Sequence, residues 1–196
     1  KLESLINKKT KVIVVIHYAG IACNMDEIIR IAKKYSLIIV EDNAHGLYGK
    51  YKGKLLGSFG DLATQSFHET KNFTCGEGGA LLINNTKFNE RAEIIREKGT
   101  NRSKFFRGEI DKYSWIDKGS SYVMSDILAA FLYGQLEMSS SIQSSRKKTI
   151  NRYFEELKNW ADLNEILLPH IPEECESAFH MFYLLMPSHD QQVKII

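Results

Sequence analysis

The fold class is most clearly predicted by KVIVVIHYAGIACNMDEIIRIAKKYSLIIVED, residues 11–42. It opens with an apolar, β-branched run at 11–16, a pattern typical of a strand that is buried on both faces. Asn24 then caps a helix in which apolar residues recur every three or four positions. A second apolar run at 37–40 leads to an acidic pair that ends at Asp42. This strand–helix–strand order predicts a βαβ unit in a mostly parallel sheet with helices on its faces.

The rest of the sequence extends this α/β pattern. Further strands are predicted at 61–67, 80–84 and 179–185, and further helices at 86–98, 125–138 and from 139 to 160, with an interruption at the serines 139–141. The glycine-rich stretch 43–60 and the charged, aromatic stretch 100–120 are predicted to be loops. We expect residues 1–138 to form part of a large domain, and residues 139–196 to form a connecting helix and the start of a smaller C-terminal domain.

Composition excludes several classes of protein. The chain has 196 residues, of which 43% are hydrophobic and 26% charged, with a net charge of +2. This balance gives no reason to expect a nucleic-acid partner, and no apolar run is long enough to span a membrane. The three cysteines are widely spaced and form no C-x-x-C pattern, which favours a reducing compartment and hence the cytoplasm.

Candidate functional residues follow two of the predicted strands. In open α/β sheets, ligands bind at the carboxyl ends of the strands, which points to Asp42 and to SFHETKN at 66–72. A lysine and a carboxylate at one edge suit pyridoxal phosphate, because Lys71 could form the imine and Asp42 could pair with the pyridinium nitrogen. Ser66 could bind the phosphate. Spacing alone indicates no more than an α/β protein with a plausible site, since a lysine in a polar loop is usually a solvated charge.

Four ordered blocks make the prediction more specific. The blocks are VEDNAHG (40–46), SFHETKN (66–72), GEGGALLIN (76–84) and SSYVMSDILAAFLYGQL (120–136). In this order and spacing they resemble the nucleotide-sugar aminotransferases of the DegT/DnrJ type, and the resemblance covers essentially the whole chain. It implies the aspartate-aminotransferase-like architecture known as fold type I of the pyridoxal-phosphate-dependent enzymes. The segment at 96–115 resembles the branch that makes dTDP-4-amino-4,6-dideoxygalactose for enterobacterial common antigen.

The resemblance also implies roles for individual residues. Lys71 matches the catalytic lysine that carries pyridoxal 5'-phosphate, and Asp42 matches the partner of the pyridine nitrogen. His45 matches the residue beside the cofactor's 3-hydroxyl group, and Ser66 matches the phosphate-binding serine. Ser121 stands where many relatives have an asparagine that reaches the phosphate bound by the neighbouring subunit. The resemblance therefore implies a homodimer.

The implied reaction is transamination of a dTDP-4-keto-6-deoxyhexose to the 4-amino-4,6-dideoxyhexose, with the galacto product favoured. Glutamate would donate the amine, and the product would enter cell-surface polysaccharide. Relatives extend beyond both ends of this sequence, so we expect an incomplete polypeptide that lacks part of the cofactor site.

Three alternatives remain open at this point. A sugar 3-dehydratase of the same fold would have a histidine at the position of Lys71. An inactive fragment or a non-catalytic pyridoxal-phosphate-binding protein would retain the fold without turnover. A zinc enzyme is disfavoured, because none of the six histidines has ligand spacing with a cysteine pair, and no metal site is predicted.

Overall fold

The computed structural model describes residues 1–195 and contains a four-stranded sheet, a small three-stranded sheet and six α-helices within that range. The strands are β1 (Val12–Ile16), β2 (Ile38–Asp42), β3 (Lys50–Tyr51), β4 (Lys54–Leu55), β5 (Leu62–Ser66), β6 (Gly79–Ile83) and β7 (Cys175–Glu176). The helices are α1 (Met25–Tyr35), α2 (Asn89–Arg96), α3 (Arg102–Phe106), α4 (Asp126–Glu137), α5 (Ser139–Leu163) and α6 (His189–Ile195). None of these helices is both long and apolar enough to cross a membrane.

The larger sheet brings three carboxyl strand ends together. Its order is β1-β2-β5-β6, in which β1, β2 and β5 are parallel and β6 is antiparallel to β5. Asp42 lies beside Ile16 on one side and beside Thr64 on the other. The carboxyl ends of β1, β2 and β5 therefore lie at one edge of the sheet. This arrangement confirms the predicted α/β fold with a mostly parallel sheet.

Helix α1 forms the predicted crossover between β1 and β2. The Asn24 side chain accepts a hydrogen bond from the backbone N–H of Glu27, as expected of an N-cap residue. Ser36 ends the helix in the left-handed conformation. The helix packs on one face of the sheet, in a core that contains Ile13, Val15, Met25, Ile31, Ala32, Ile39, Tyr51 and Leu56.

The prediction that β1 is buried on both faces was wrong. Ile13 and Val15 are 5% and 6% exposed, whereas Val12, Val14 and Ile16 are 42%, 62% and 53% exposed. Helix α1 covers only the face that carries Ile13 and Val15, and no element among residues 1–195 covers the other face of β1. The β-branched residues on that face therefore reflect strand propensity without burial in this chain.

A second core anchors the segment between β5 and β6. Phe67, Phe73 and Cys75 from this segment are buried together with Leu132 of α4. Phe67 and Phe73 flank Lys71 in the sequence, so the loop that carries this lysine is fixed at both ends by packing.

Two segments predicted to be loops contain short elements. The segment 43–60 includes the antiparallel pair of β3 and β4, and the segment 100–120 includes helix α3. The predicted helix at 86–98 consists of a single 3-10 turn at Thr86–Phe88 followed by α2. The predicted break between two helical stretches is present but lies at Met138, one residue before the serines 139–141, which form the first turn of α5.

The predicted strand at 179–185 was also wrong. The carbonyl oxygens of Phe179 and His180 accept hydrogen bonds from the Arg146 guanidinium at 2.8 and 2.7 Å. The donors to these carbonyl groups therefore come from a side chain and not from the backbone of a neighbouring strand. The strand in this region is β7, which pairs with β3. Helix α5 begins at the proposed domain boundary, and the division into 1–138 and 139–196 stays a prediction.

Candidate active site

Asp42 is the last residue of β2 and lies, partly buried, at the carboxyl edge of the sheet. Its Oδ1 accepts a hydrogen bond from the backbone N–H of Ala44 at 3.1 Å. Among the described residues, no side chain donates to its carboxylate. The carboxylate therefore retains acceptor capacity for a ligand.

His45 lies three residues beyond Asp42 and is held from the other side by the turn after β1. Its Nδ1 accepts from the backbone N–H of Ala19 at 3.3 Å. Burial lowers the pKa of His45, the positive charge of Lys71 lowers it further, and the negative charge of Asp42 raises it. Asp42 and His45 lie at and just after the carboxyl end of β2, and Lys71 follows the carboxyl end of β5, which pairs with β2 in parallel. The structure therefore places the three residues at one edge of the sheet.

Lys71 is partly buried in the turn after β5, where its backbone N–H donates to the carbonyl of His68 at 2.9 Å. Two further contacts stabilise the turn. The N–H of Thr74 donates to the side chain of Gln135 at 2.9 Å, and the N–H of Cys75 donates to the carbonyl of Phe67 at 3.0 Å. The lysine is therefore held by both β5 and α4.

Ser66 ends β5 on the same face of the sheet as Asp42. Thr64 pairs with Asp42, and residues two apart on a strand share a face. The Ser66 Oγ accepts from the backbone N–H of His68 at 3.4 Å. The hydroxyl hydrogen is therefore free to donate to an anion.

Ser121 does not join this group. It is exposed and forms an isolated antiparallel bridge with Glu97, and it makes no hydrogen bond to the other predicted site residues among those described. The structure thus brings together four of the five predicted residues, and the role of each stays a prediction.

Sequence reasoning missed a histidine and an asparagine at this site. The His180 ring stacks on His45, with centroids 4.1 Å apart and an interplanar angle of 21°. The His180 Nδ1 lies 2.8 Å from Oδ1 of Asn72, the residue after Lys71. Asn72 was visible in the SFHETKN block, but His180 lies more than a hundred residues away in a segment predicted to be a strand. No local pattern could pair them.

Gly20 allows the C-terminal segment at Ala178 to pass close to the backbone of His45. Its φ is +78°, and an added Cβ would lie 2.7 Å from the Cβ of Ala178 and 2.8 Å from the carbonyl oxygen of His45. The N–H of Ala178 donates to the carbonyl of Gly20 at 2.9 Å. Only glycine fits where the C-terminal segment crosses the site.

Other possible sites lie away from this edge. A cavity of about 490 Å³ lies between β3 and the start of α5, and its lining does not include Asp42, His45 or Lys71. In the part of the chain that the structure describes, no three His, Cys, Asp or Glu side chains form a group that could hold a metal ion.

Comparison with known proteins shows the family of this chain. Residues 1–196 match the model of the DegT/DnrJ/EryC1/StrS aminotransferase family. The chain belongs to this family. It is 31% identical over 199 residues to GDP-perosamine synthase of Caulobacter vibrioides, a match that covers 99% of the chain and 51% of that protein.

Solved structures give the same answer. An aminotransferase of pseudoaminic acid biosynthesis from Helicobacter pylori superposes with a TM-score of 0.86 at 27% identity, covering 100% of this chain and 50% of that one. A protein of Streptococcus pneumoniae assigned as a sugar aminotransferase, solved in its PLP-form, superposes with a TM-score of 0.84 at 27% identity, covering 100% and 53%. The chain spans about half the length of the relatives that it matches. The family and the fold of the sugar aminotransferases are thereby confirmed.

Proposed function

We propose that this chain carries the cofactor-binding lysine and carboxylate of a pyridoxal-phosphate-dependent nucleotide-sugar aminotransferase. The observation that carries the proposal is that Asp42, which ends β2, and Lys71, which follows β5, lie at the same carboxyl edge of the sheet, where β2 and β5 pair in parallel. Membership of an aminotransferase family and the likeness to a PLP-form structure support the choice of cofactor.

The residues at this edge fit pyridoxal phosphate. The carboxylate of Asp42 would accept from the protonated pyridine nitrogen, in a charge-assisted bond that would contribute roughly 1.5–3 kcal/mol. The Nε2–H of His45 would be available to donate to the 3-oxygen of the cofactor, because Nδ1 is occupied by the N–H of Ala19. The Ser66 hydroxyl would donate to the phosphate.

Lys71 supplies the amine of the reaction. When bound, pyridoxal phosphate supplies an electron sink for the bonds at the substrate carbon. The Nζ of Lys71 would hold the cofactor through its aldehyde carbon, and as a free amine it would take a proton from the substrate carbon and return it, acting as a general base and then as a general acid. The packing and hydrogen bonds of the turn hold the backbone from which this amine extends.

The proposed substrate is a dTDP-linked 4-keto-6-deoxyhexose, the proposed product is the galacto 4-amino-4,6-dideoxy sugar, and glutamate is the proposed amino donor. The segment at 96–115 supports this choice by its resemblance to that branch. A relative named GDP-perosamine synthase supports the broader substrate class of nucleotide-linked sugars.

We further propose a homodimer in the cytoplasm. Ser121 is exposed and would reach the phosphate bound by the partner subunit. Large apolar side chains near it are also exposed and would be covered in a dimer: Tyr122, Val123, Ile127, Phe131 and Tyr133. The three cysteines are free thiols, which suits a reducing compartment.

Cofactor spectroscopy tests the proposal. Mixing the protein with pyridoxal phosphate should produce the visible absorption band of a lysine adduct, and L-glutamate should discharge it. The variant Lys71→Ala should keep the fold and lose the band, while Lys87→Ala, in an exposed turn, should retain it. A band that glutamate leaves unchanged would indicate a cofactor-binding protein without turnover. A band that survives in Lys71→Ala would remove Lys71 from the mechanism.

A further inference from the structure

Two imidazole rings, rather than one, lie next to the turn that carries Lys71. His45 and His180 stack in near-parallel planes, with ring centroids 4.1 Å apart. The family resemblance implied a role only for His45. Their hydrogen bonds fix which nitrogen of each ring carries a proton, and the two rings differ in this respect.

His45 presents a hydrogen-bond donor, its Nε2–H group, to the site. The backbone N–H of Ala19 donates to its Nδ1, so this nitrogen has no proton. Burial lowers the pKa of the ring, which keeps it neutral at pH 7. The single ring proton of His45 is therefore on Nε2.

His180 has the opposite arrangement, and Asn72 fixes it. The Asn72 amide nitrogen donates to the carbonyl of Ala178 at 2.6 Å, which orients the amide. Its Oδ1 therefore faces the His180 Nδ1 at 2.8 Å and can only accept. Burial is the main cause that lowers the pKa of His180 to about 4; the positive charges of Lys71 and Arg146, and that of His45 when it is protonated, lower it further, so the ring is neutral at pH 7. Its proton is on Nδ1, and its Nε2 is a bare acceptor.

Both Nε2 atoms are open to a ligand. Neither has a hydrogen-bond partner among residues 1–195, and neither is one of the buried polar atoms that lack a partner. The position of His180 is fixed by Arg146, which donates to the carbonyl oxygens of Phe179 and His180. The site thus presents one fixed donor and one fixed acceptor, side by side and next to an amine.

We propose that His180 determines substrate specificity by accepting, at Nε2, a hydrogen bond from a hydroxyl group of the sugar. The inference rests on the proposed function and deepens it. A sugar carries hydroxyl donors next to the reacting carbon. Glutamate brings carboxylates, which cannot donate to a bare nitrogen, and one amine, which is engaged in the reaction. His180 therefore favours the sugar half-reaction, and Asn72 is the positioning residue that keeps its Nε2 free of a proton.

Nuclear magnetic resonance of the 196-residue chain tests the tautomers without cofactor or substrate. Long-range ¹⁵N–¹H correlation spectra of the histidine-labelled protein at pH 7 should show His45 protonated on Nε2 and His180 protonated on Nδ1. In Asn72→Ala, His180 should move its proton to Nε2, the form that is favoured in water. A wild-type His180 that is protonated on Nε2 or doubly protonated would overturn the inference. A purely structural role of Asn72 would leave the tautomer unchanged.

Half-reaction kinetics test the specificity. His180→Phe keeps a stacking ring and has no acceptor, whereas His180→Gln restores an acceptor oxygen. His180→Phe should lose about three- to tenfold more kcat/KM with a dTDP-linked 4-keto-6-deoxyhexose than with glutamate, as expected for one lost hydrogen bond, and His180→Gln should recover part of this. Equal losses in both half-reactions would overturn the inference. If the unsubstituted protein shows no turnover, the proposed function and the proposed sugar substrate are both overturned. The NMR measurement of the tautomers does not depend on turnover and is decided separately.

Discussion

Two neighbouring residues of β2, Glu41 and Asp42, show how one strand supports two different kinds of polar site. Successive residues of a strand point to opposite faces, so the two carboxylates enter different surroundings. Glu41 is fully buried and accepts hydrogen bonds from His17 at 2.9 Å and from the backbone N–H groups of Gly57, Phe59 and Gly60 at 2.8, 2.7 and 2.6 Å. Asp42 is partly buried and accepts one hydrogen bond, from a backbone N–H.

The hydrogen bonds that each carboxylate accepts distinguish a structural carboxylate from one that can bind a ligand. Burial alone would raise the pKa of Glu41, but the hydrogen bonds from His17 and the three backbone groups outweigh burial and lower the pKa. A carboxylate whose acceptor positions are filled by the protein has none left for a ligand, so Glu41 stabilises the fold. Asp42 retains free acceptor capacity beside a histidine and a lysine, which is what a cofactor requires.

The largest predicted effect is that of Glu41→Gln. The amide nitrogen would face backbone donors and leave them unsatisfied, and His17 would lose its buried partner. We expect a loss of about 3–5 kcal/mol in the free energy of unfolding. Urea denaturation followed by circular dichroism measures this. A loss of less than about 1 kcal/mol would show that Glu41 is not the structural carboxylate of the pair.

The second prediction concerns Gly20, which lies close to Ala178 and to the backbone of His45. Gly20→Ala adds a Cβ in close contact with Ala178 and His45 at a φ of +78°, whereas Gly53→Ala, at a φ of +76°, meets nothing within 4 Å. Both variants carry the cost of the left-handed backbone, so their difference isolates the contact. We expect Gly20→Ala to lose about 1–3 kcal/mol more than Gly53→Ala in urea denaturation. Equal losses would contradict the close crossing of the C-terminal segment.

The third prediction is a pH dependence of stability. The folded pKa of His180 is about 4, below the ordinary value of 6.5 that applies in the unfolded chain. Between these values the unfolded state binds more protons, so stability falls as the pH falls from 6.5 toward 4. The lowered pKa of Glu41 adds a further loss as its carboxylate is protonated. The variant His180→Gln should show a flatter decline between pH 6.5 and pH 5 in urea denaturation. An unchanged slope would indicate that His180 titrates normally.

The smallest predicted stability effect is that of Asp42→Asn, the counterpart of Glu41→Gln. The amide oxygen can still accept from the N–H of Ala44, and the partly open site leaves no buried charge unpaired. We expect a change within about 0.5 kcal/mol in the free energy of unfolding, together with weaker binding of pyridoxal phosphate. Equilibrium titration of the cofactor measures the second effect. A large loss of stability with unchanged cofactor binding would reverse the roles assigned to Glu41 and Asp42.

The sequence predicted the part of the fold that local patterns encode. The apolar runs, the Asn24 cap and the acidic pair predicted β1, α1, β2 and the edge at which Asp42 lies. The four family blocks predicted the family and the candidate residues. The sequence also placed Ser66 correctly at the end of β5, because the strand and its polar successor are contiguous.

The remainder depends on contacts between distant segments. The environment of Glu41 could not be predicted, because its partners come from two separate segments, His17 and the loop 57–60, and an acidic pair looks the same at both positions. His180 was hidden in an apolar, aromatic stretch typical of a strand, and the hydrogen bonds from Arg146 to the carbonyl oxygens of Phe179 and His180 come from a distant helix that the local pattern does not reveal. The exposed face of β1 was missed because β-branched residues predict a strand and do not reveal which faces are covered.

Chemical trapping tests the central claim most directly. Reduction of the protein with borohydride in the presence of pyridoxal phosphate fixes the cofactor to the amine that holds it, and peptide mass mapping identifies that lysine. The account predicts one dominant adduct at Lys71, reduced in Asp42→Asn. An adduct spread over surface lysines, or one at Lys71 that is indifferent to Asp42→Asn, would contradict a shared cofactor site at the carboxyl edge of the sheet.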